Sequence, residues 1–129
     1  MSSFLIDSDV IISYTKRHQD ALELLRQLAL LEDGPLLAVS AVTVFEVLQG
    51  LRHPEKPLIR RLFSSFRCLP ITHPIAHAGA MLAREQRERG ATVVMGDALI
   101  AATALLHDLV LVTANRRHFE PLGLRLYPE

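Results

Sequence analysis

Phe4-Leu5-Ile6-Asp7 decides the fold: three apolar residues in succession are followed at once by an acid. A short continuous apolar run is typical of a buried strand in a parallel sheet, whereas strands with one face in water alternate apolar and polar residues. Leu36-Leu37-Ala38-Val39 and segment 109–113 repeat the pattern, and weaker strands are predicted at 67–70 and 124–126. Together these segments predict an α/β fold whose parallel sheet is covered by helices on both faces.

Helical periodicity fills the segments between the predicted strands, with apolar residues recurring at spacings of three and four. The predicted helices cover 10–14, 20–31, 40–50, 54–66, 73–89 and 97–106. Asp33-Gly34-Pro35 is expected to end the second of them. The last helix, opened by Asp97, is almost entirely apolar, so it should be buried on most sides.

Composition limits the classes of function. The chain has 129 residues, which favours one domain over residues 1–129. Its 14 basic and 14 acidic residues cancel, so a polyanionic substrate would need a local basic patch or a metal ion. The single Cys68 cannot form an internal disulfide, which favours a reducing, cytoplasmic setting. No apolar run approaches the ~18 residues of a membrane span, and no secretory signal is recognisable.

Polar side chains follow the predicted strands or lie on helices that should pack against them. Ligands of parallel α/β sheets bind beyond the carboxyl ends of the strands, so we expect these side chains to converge there. Buried carboxylates are costly unless they are paired, hydrogen-bonded or bound to a cation, which points to an acidic metal site. The candidate site residues are Asp7, Glu46, Asp97 and Asn115, supported by Ser40, Thr43 and Thr113.

Each candidate also has a structural interpretation. Asp7 and Asp97 could be helix caps, although Ser8 and Asp9 are available to cap the first helix. Glu46 could belong to a solvent-exposed helix stripe, and Asn115 could fill a turn.

Two arginines follow the last candidate directly. Arg116 and Arg117 could hold RNA phosphates, although ordinary surface charge is the simpler explanation for each of them.

Four segments resemble the motifs of PIN-domain nucleases, in family order and nearly from end to end of the chain. They are 4–12 (FLIDSDVII), 40–50 (SAVTVFEVLQG), 97–102 (DALIAA) and 111–119 (LVTANRRHF). In length and compactness the chain is similar to the toxin of a VapBC-type toxin–antitoxin pair.

The resemblance implies a three-layer α/β/α fold with a mostly parallel five-stranded sheet. It also implies an endoribonuclease that uses Mg²⁺ or Mn²⁺, a homodimer, and inhibition by a cognate antitoxin. Asp7, Glu46 and Asp97 match the metal-binding acids of the family, and Thr113 matches its hydroxyl in the fourth motif. Many members have Asp where this chain has Asn115, and many have Asp where it has His118, so the fourth corner of the site is neutral here.

The expected reaction is hydrolysis of an RNA phosphodiester by metal-activated water. Asp7 and Asp97 would be the principal ligands, Glu46 a direct or water-mediated ligand or a group that orients the nucleophile, and Asn115 a positioning group.

Three alternatives stay open on the sequence. Asp7 and Asp9 also fit the opening motif of haloacid-dehalogenase-like phosphatases, as nucleophile and general acid. Those enzymes need a downstream lysine, and neither Lys16 nor Lys56 follows a suitable strand. A phospho-acceptor receiver domain meets the same objection. A catalytically inactive PIN fold that only binds a partner is the third alternative.

Overall fold

The computed structural model describes residues 3–31 and 36–128. The strands in these ranges are β1 (Ser3–Ile6), β2 (Leu36–Ser40), β3 (Arg67–Leu69), β4 (Val110–Val112) and β5 (Leu126–Tyr127). The α-helices are α1 (Ser8–Thr15), α2 (Gln19–Ala29), α3 (Ala41–Gln49), α4 (Lys56–Ser64), α5 (His73–Glu88), α6 (Met95–Leu106) and α7 (Arg116–Phe119). Short 3₁₀ turns cover His53–Glu55 and Glu120–Leu122. The predicted helix stop at Asp33-Gly34-Pro35 lies outside the described residues.

The five strands form one sheet in the order β3-β2-β1-β4-β5, and every pairing among them is parallel. Strands β2 and β3 lie on one side of the central β1. Strands β4 and β5, which come later in the chain, lie on the other side. The order therefore reverses between β1 and β4, and a crevice opens at the carboxyl ends of strands at such a reversal.

Side chains of β1 alternate between two apolar clusters, one on each face of the sheet. Leu5 packs with residues of α6 and α7, including Ile100 and Phe119. Phe4 and Ile6 face the opposite cluster, which the helices α1, α2 and α4 cover. Both faces are thus buried, which explains the unbroken apolar strands and confirms the predicted three-layer α/β/α arrangement with a parallel five-stranded sheet.

Several predicted element boundaries differ from the structure: the first helix begins at Ser8 and not at 10, and the predicted helix 54–66 is a 3₁₀ turn followed by α4. Helix α6 begins at Met95, with Val94 as its N-cap residue, so Asp97 is the third residue of the helix and not its opening residue. The helix dipole favours an acid at any position of the first turn, so the presence of Asp97 does not show at which residue the helix begins. Strand β5 pairs at Leu126 and Tyr127, so it begins and ends later than the predicted 124–126. Gly123 adopts a left-handed turn conformation before it.

None of the helices in the described part of the chain is both long enough and apolar enough to cross a membrane.

Candidate active site

Asp7 lies at the carboxyl end of β1, directly beside the end of β4. Its backbone N–H donates to the carbonyl oxygen of Val112 at 2.9 Å, which continues the pairing of Ile6 with Val112. Its carboxylate is buried and held at both oxygens. Oδ1 accepts from the backbone N–H of Ser8 at 2.8 Å, and Oδ2 accepts from the Thr113 hydroxyl at 2.8 Å. Asp7 therefore caps α1 and also lies in the crevice.

Thr113 links Asp7 to the segment that contains Asn115. The Thr113 hydroxyl oxygen accepts from the backbone N–H of Asn115 at 2.9 Å while its proton goes to Asp7. The Asn115 side chain is exposed and forms no cap bond to α7, although the residue occupies the N-cap position. The connection of Asn115 to the site is consequently made by its backbone.

Glu46 reaches the same region from α3. Ser40 caps this helix by accepting from the Val42 N–H at 3.0 Å, and both Ser40 and Thr43 are fully buried. The Ser8 hydroxyl donates to Glu46 Oε1 at 2.6 Å and lies 3.0 Å from Thr43 Oγ1. Thr43 and Glu46 therefore face α1, and Glu46 is half-buried and not part of a fully solvent-exposed stripe.

The first turn of α6 brings the third candidate acid to this region. Asp97 is half-buried, and its Oδ2 lies 3.3 Å from His118 Nδ1. The residue before it, Gly96, passes so close to Glu46 that a Cβ added there would lie 2.8 Å from Glu46 Oε2. Glu46 thus lies against the helical turn that presents Asp97.

The acids at this end of the sheet raise one another's pKa. The pKa of Asp7 is raised from 3.8 to about 7, mainly by burial and next by the charge of Asp9, while the Thr113 hydrogen bond opposes the shift. Burial is also the main reason that the pKa of Asp97 is raised, with the Asp7 charge next and His118 acting in the opposite direction. Desolvation disfavours each charged carboxylate, and the neighbouring charges add repulsion.

Asp9 belongs to this cluster, although the sequence suggested it only as a cap of the first helix or as the general acid of the phosphatase alternative. Burial raises its pKa, and repulsion by Asp97 adds to that effect. Its Oδ1 is buried without a hydrogen-bond partner. Its position two residues after Asp7 is the signal that could have identified it, because the first turn of α1 brings both carboxylates to the same crevice.

A divalent cation fits this set of side chains. The donors are hard carboxylate oxygens, the orphaned Asp9 Oδ1 needs a partner, and a cation would offset the repulsion among Asp7, Asp9 and Asp97. Within residues 3–31 and 36–128, no three acidic, histidine or cysteine side chains stand close enough to ligate one ion together. Water would complete the shell, which suits Mg²⁺ because it keeps several of its waters in protein sites.

The two arginines of the fourth motif differ in their surroundings. The Arg116 guanidinium is 3.3 Å from Glu120 Oε1 and also donates to the Pro128 carbonyl oxygen. Arg117 is exposed and lines a cavity of about 290 Å³ together with Asp97 and His118. Arg116 is therefore engaged by Glu120 and Pro128, whereas Arg117 lies on the same cavity wall as Asp97.

Comparison with known proteins identifies the family. The sequence profile of the PIN domain matches residues 4–122. The chain belongs to the PIN domain family. It is 39% identical to "Ribonuclease VapC10" of Mycobacterium tuberculosis over 124 residues, which cover 96% of this chain and 90% of that protein.

Solved structures agree with this assignment. The toxin-antitoxin complex from Klebsiella pneumoniae contains a chain that is 28% identical, with a TM-score of 0.76 and 92% of each chain covered. A chain of DNA-bound VapBC from Salmonella typhimurium has a TM-score of 0.84 at 24% identity, covering 98% of this chain and 97% of its own, which shows a common fold.

Membership of the PIN domain family excludes two of the three alternatives left open by the sequence. The phosphatase and the receiver domain both require a different fold family, so both interpretations are wrong. PIN-domain ribonucleases are metal-dependent in general. Three residues that sequence reasoning did not include among the candidate site residues lie beside them: Ser8, Asp9 and Gly96.

Proposed function

We propose that this protein is a divalent-metal-dependent endoribonuclease that acts as the toxin of a toxin–antitoxin pair, with Mg²⁺ or Mn²⁺ as its metal. The observation that carries the proposal is the group of desolvated acids at the β1–β4 reversal of a PIN fold. The similarity to a protein named as a ribonuclease over nearly the whole chain supports RNA as the substrate.

Asp7, Glu46 and Asp97 would hold the metal partly through bound water, with Asp9 close enough to add its charge. When bound, the ion would supply Lewis-acid stabilisation of phosphate charge during hydrolysis of the phosphodiester. Ionised carboxylates are required, so the Thr113 hydroxyl contributes by stabilising the charged form of Asp7.

Other residues of the chain orient the acids and meet the RNA. Ser8 fixes the carboxylate of Glu46, and the backbone of Asn115 holds the Thr113 hydroxyl in place. The exposed Asn115 side chain would position a water or a phosphate oxygen. Arg117, beside Asp97 on the cavity wall, would contact the RNA backbone, which positions a nucleic acid but reads no sequence.

A cognate antitoxin and a second copy of the chain complete the proposed assembly. The similar solved structures include toxin-antitoxin complexes, which supports the antitoxin. Exposed apolar side chains such as Phe45 and Leu48 on α3 are surfaces that protein partners can cover. We further propose that residues 1–129 act as one domain in the cytoplasm, where a ribonuclease meets its RNA.

Cleavage of a panel of structured RNAs tests the proposal, with Mg²⁺, Mn²⁺ or chelator present. Wild type should cut only with metal, and Asp7→Asn and Asp97→Asn should lose cutting while remaining folded. Asp20→Asn, an exposed acid at the start of α2, is the matched control and should cut normally. Equal cutting by wild type and both site variants would reject the site. Failure of pure, metal-loaded wild type to cut any RNA would favour the inactive PIN fold.

A further inference from the structure

We infer that Gly96 is a positioning residue, whose missing side chain makes the space in which the Glu46 carboxylate is held. The inference rests on the proposed function, because Glu46 matters only if the acids bind a metal. Gly96 is the second residue of α6 and has no left-handed backbone conformation that would require glycine. Alanine is the better residue in a helix, so the choice of glycine here needs another reason.

The reason is spatial and involves a single neighbour. A Cβ at position 96 would lie 2.8 Å from Oε2, 3.4 Å from Cδ and 3.7 Å from Oε1 of Glu46. Carbon and oxygen atoms that are not bonded do not approach to 2.8 Å without repulsion, because van der Waals contact lies well beyond that distance. The three nearest atoms all belong to the Glu46 carboxyl group, and none belongs to the backbone.

The carboxylate is held on its other side by Ser8. The Ser8 hydroxyl donates to Oε1 at 2.6 Å, so the two oxygens of Glu46 lie between a hydrogen bond and the bare backbone of α6. A methyl group at position 96 would push away the flexible end of the Glu46 side chain. The fold would tolerate this movement, but the carboxylate would leave its place beside the turn that carries Asp97.

Other glycines of the chain show that this arrangement is specific. A Cβ at Gly79 would meet the Ala98 carbonyl oxygen at 3.3 Å, which is backbone, so Gly79 serves the packing of α5 on α6. A Cβ at Gly50, the residue that follows α3, would meet only the Glu46 carbonyl oxygen at 3.9 Å, an ordinary contact. Gly50→Ala therefore adds the same methyl group without moving the carboxylate, and is the matched control.

The experiment is calorimetric titration of the full chain with Mn²⁺, combined with thermal melts in chelator. The variants are Gly96→Ala, Gly50→Ala, Glu46→Ala and the double variant Gly96→Ala/Glu46→Ala. We expect Gly96→Ala to weaken Mn²⁺ binding about tenfold to a hundredfold, the range typical of lost support for a metal ligand, and Gly50→Ala to stay within about twofold of wild type.

Two readouts separate positioning from a structural role. The melting temperature of metal-free Gly96→Ala should equal that of wild type or exceed it by up to about 3 °C, because alanine favours the helix. In the Glu46→Ala background, Gly96→Ala should leave Mn²⁺ affinity unchanged, since no carboxylate remains to be displaced.

Unaltered Mn²⁺ binding by Gly96→Ala, with Glu46→Ala clearly weakened, would overturn this inference alone and leave the proposed function standing. The inference would also be overturned if Gly96→Ala weakened Mn²⁺ binding equally with and without Glu46, or if it clearly lowered the melting temperature. Either result would show an effect of the methyl group that does not depend on the Glu46 carboxylate. If wild type binds no Mn²⁺ at all, the proposed function fails and this inference fails with it.

Discussion

Replacing Asp7 by asparagine should stabilise the metal-free protein above pH 7 while it abolishes RNA cleavage. Asparagine has nearly the same shape as aspartate and can still accept the Ser8 N–H bond that caps α1. It has no charge to desolvate, whereas burial and the neighbouring Asp9 make the charged form of Asp7 costly. The substitution thus removes a cost that the metal-free fold bears at neutral and alkaline pH.

The sign and size of the effect follow from the pKa of Asp7. The folded value is about 7 against an ordinary 3.8, so between these values the folded protein holds a proton that the unfolded chain has lost. Stability therefore falls as pH rises through this window, and the full penalty is present above about pH 7. The difference corresponds to about 4 kcal/mol, at about 1.4 kcal/mol for each pH unit.

Part of this gain is lost at Thr113. In wild type the Thr113 hydroxyl donates to Asp7 Oδ2. In Asp7→Asn an amide nitrogen takes the place of that acceptor, and loss of the hydrogen bond costs about 1 kcal/mol. The net stabilisation of Asp7→Asn at pH 8 is then about 3 kcal/mol, or a rise in melting temperature of roughly 10 °C. At pH 5 only about one pH unit of the window above 3.8 has been crossed, so the penalty on wild type is about 1–2 kcal/mol. The loss at Thr113 offsets most of it, and the two proteins should differ by no more than about 1 kcal/mol.

Urea unfolding in chelator at pH 5, 6, 7 and 8 measures these differences, with Asp20→Asn as the exposed control. Excess Mn²⁺ at pH 8 should raise the stability of wild type but not that of Asp7→Asn, because binding to the folded state alone adds stability. Parallel pH profiles for the two proteins, or a lower stability of Asp7→Asn at pH 8 in chelator, would show that the charge on Asp7 is not the penalty described here.

Three further predictions concern the same acids and their surroundings. Mn²⁺ affinity of wild type should weaken as pH falls below about 7, because protons compete with metal for Asp7; a titration series with a flat profile would exclude Asp7 as a ligand. Thr113→Val removes the bond that favours charged Asp7 and the acceptor for the Asn115 N–H, so it should cost about 1–2 kcal/mol of stability and weaken Mn²⁺ binding, as urea unfolding and calorimetry would show. Arg117→Ala should weaken RNA binding in filter assays with unchanged Mn²⁺ affinity, whereas Arg116→Ala should mainly loosen the contacts with Glu120; equal RNA binding by all three proteins would remove Arg117 from the interface.

The parts of the site that the sequence predicts are those fixed by local pattern. Asp7 and Thr113 follow apolar strands, and the carboxyl ends of adjacent parallel strands meet at one edge, so their proximity follows once the strands are recognised. Ser40 caps its helix, as its residue type favours. The α/β/α layers follow in the same way from the unbroken apolar strands.

The parts that the sequence does not predict depend on distances between segments far apart in the chain. The sequence around Ser8 does not indicate that its hydroxyl binds Glu46. Serine is also a common N-cap residue, so the same sequence is compatible with a hydroxyl that caps α1. The role of Gly96 follows from a 2.8 Å approach between α6 and α3, which no residue pattern encodes. The start of α6 is not predictable from a capping residue, because Val94 forms no side-chain cap bond.

The arrangement of charge around the site would allow a chain without net charge to bind both a metal and RNA, as proposed. Four acids, Asp7, Asp9, Glu46 and Asp97, stand on one side of the crevice, where a cation is favoured. The segment after β4 instead carries Arg116, Arg117 and His118. His118 lies against Asp97 and opposes the rise in the pKa of that acid, so it favours the charged form of Asp97. Metal and phosphate would therefore meet at the boundary between the two groups, which is where Arg117 and Asp97 share one cavity wall.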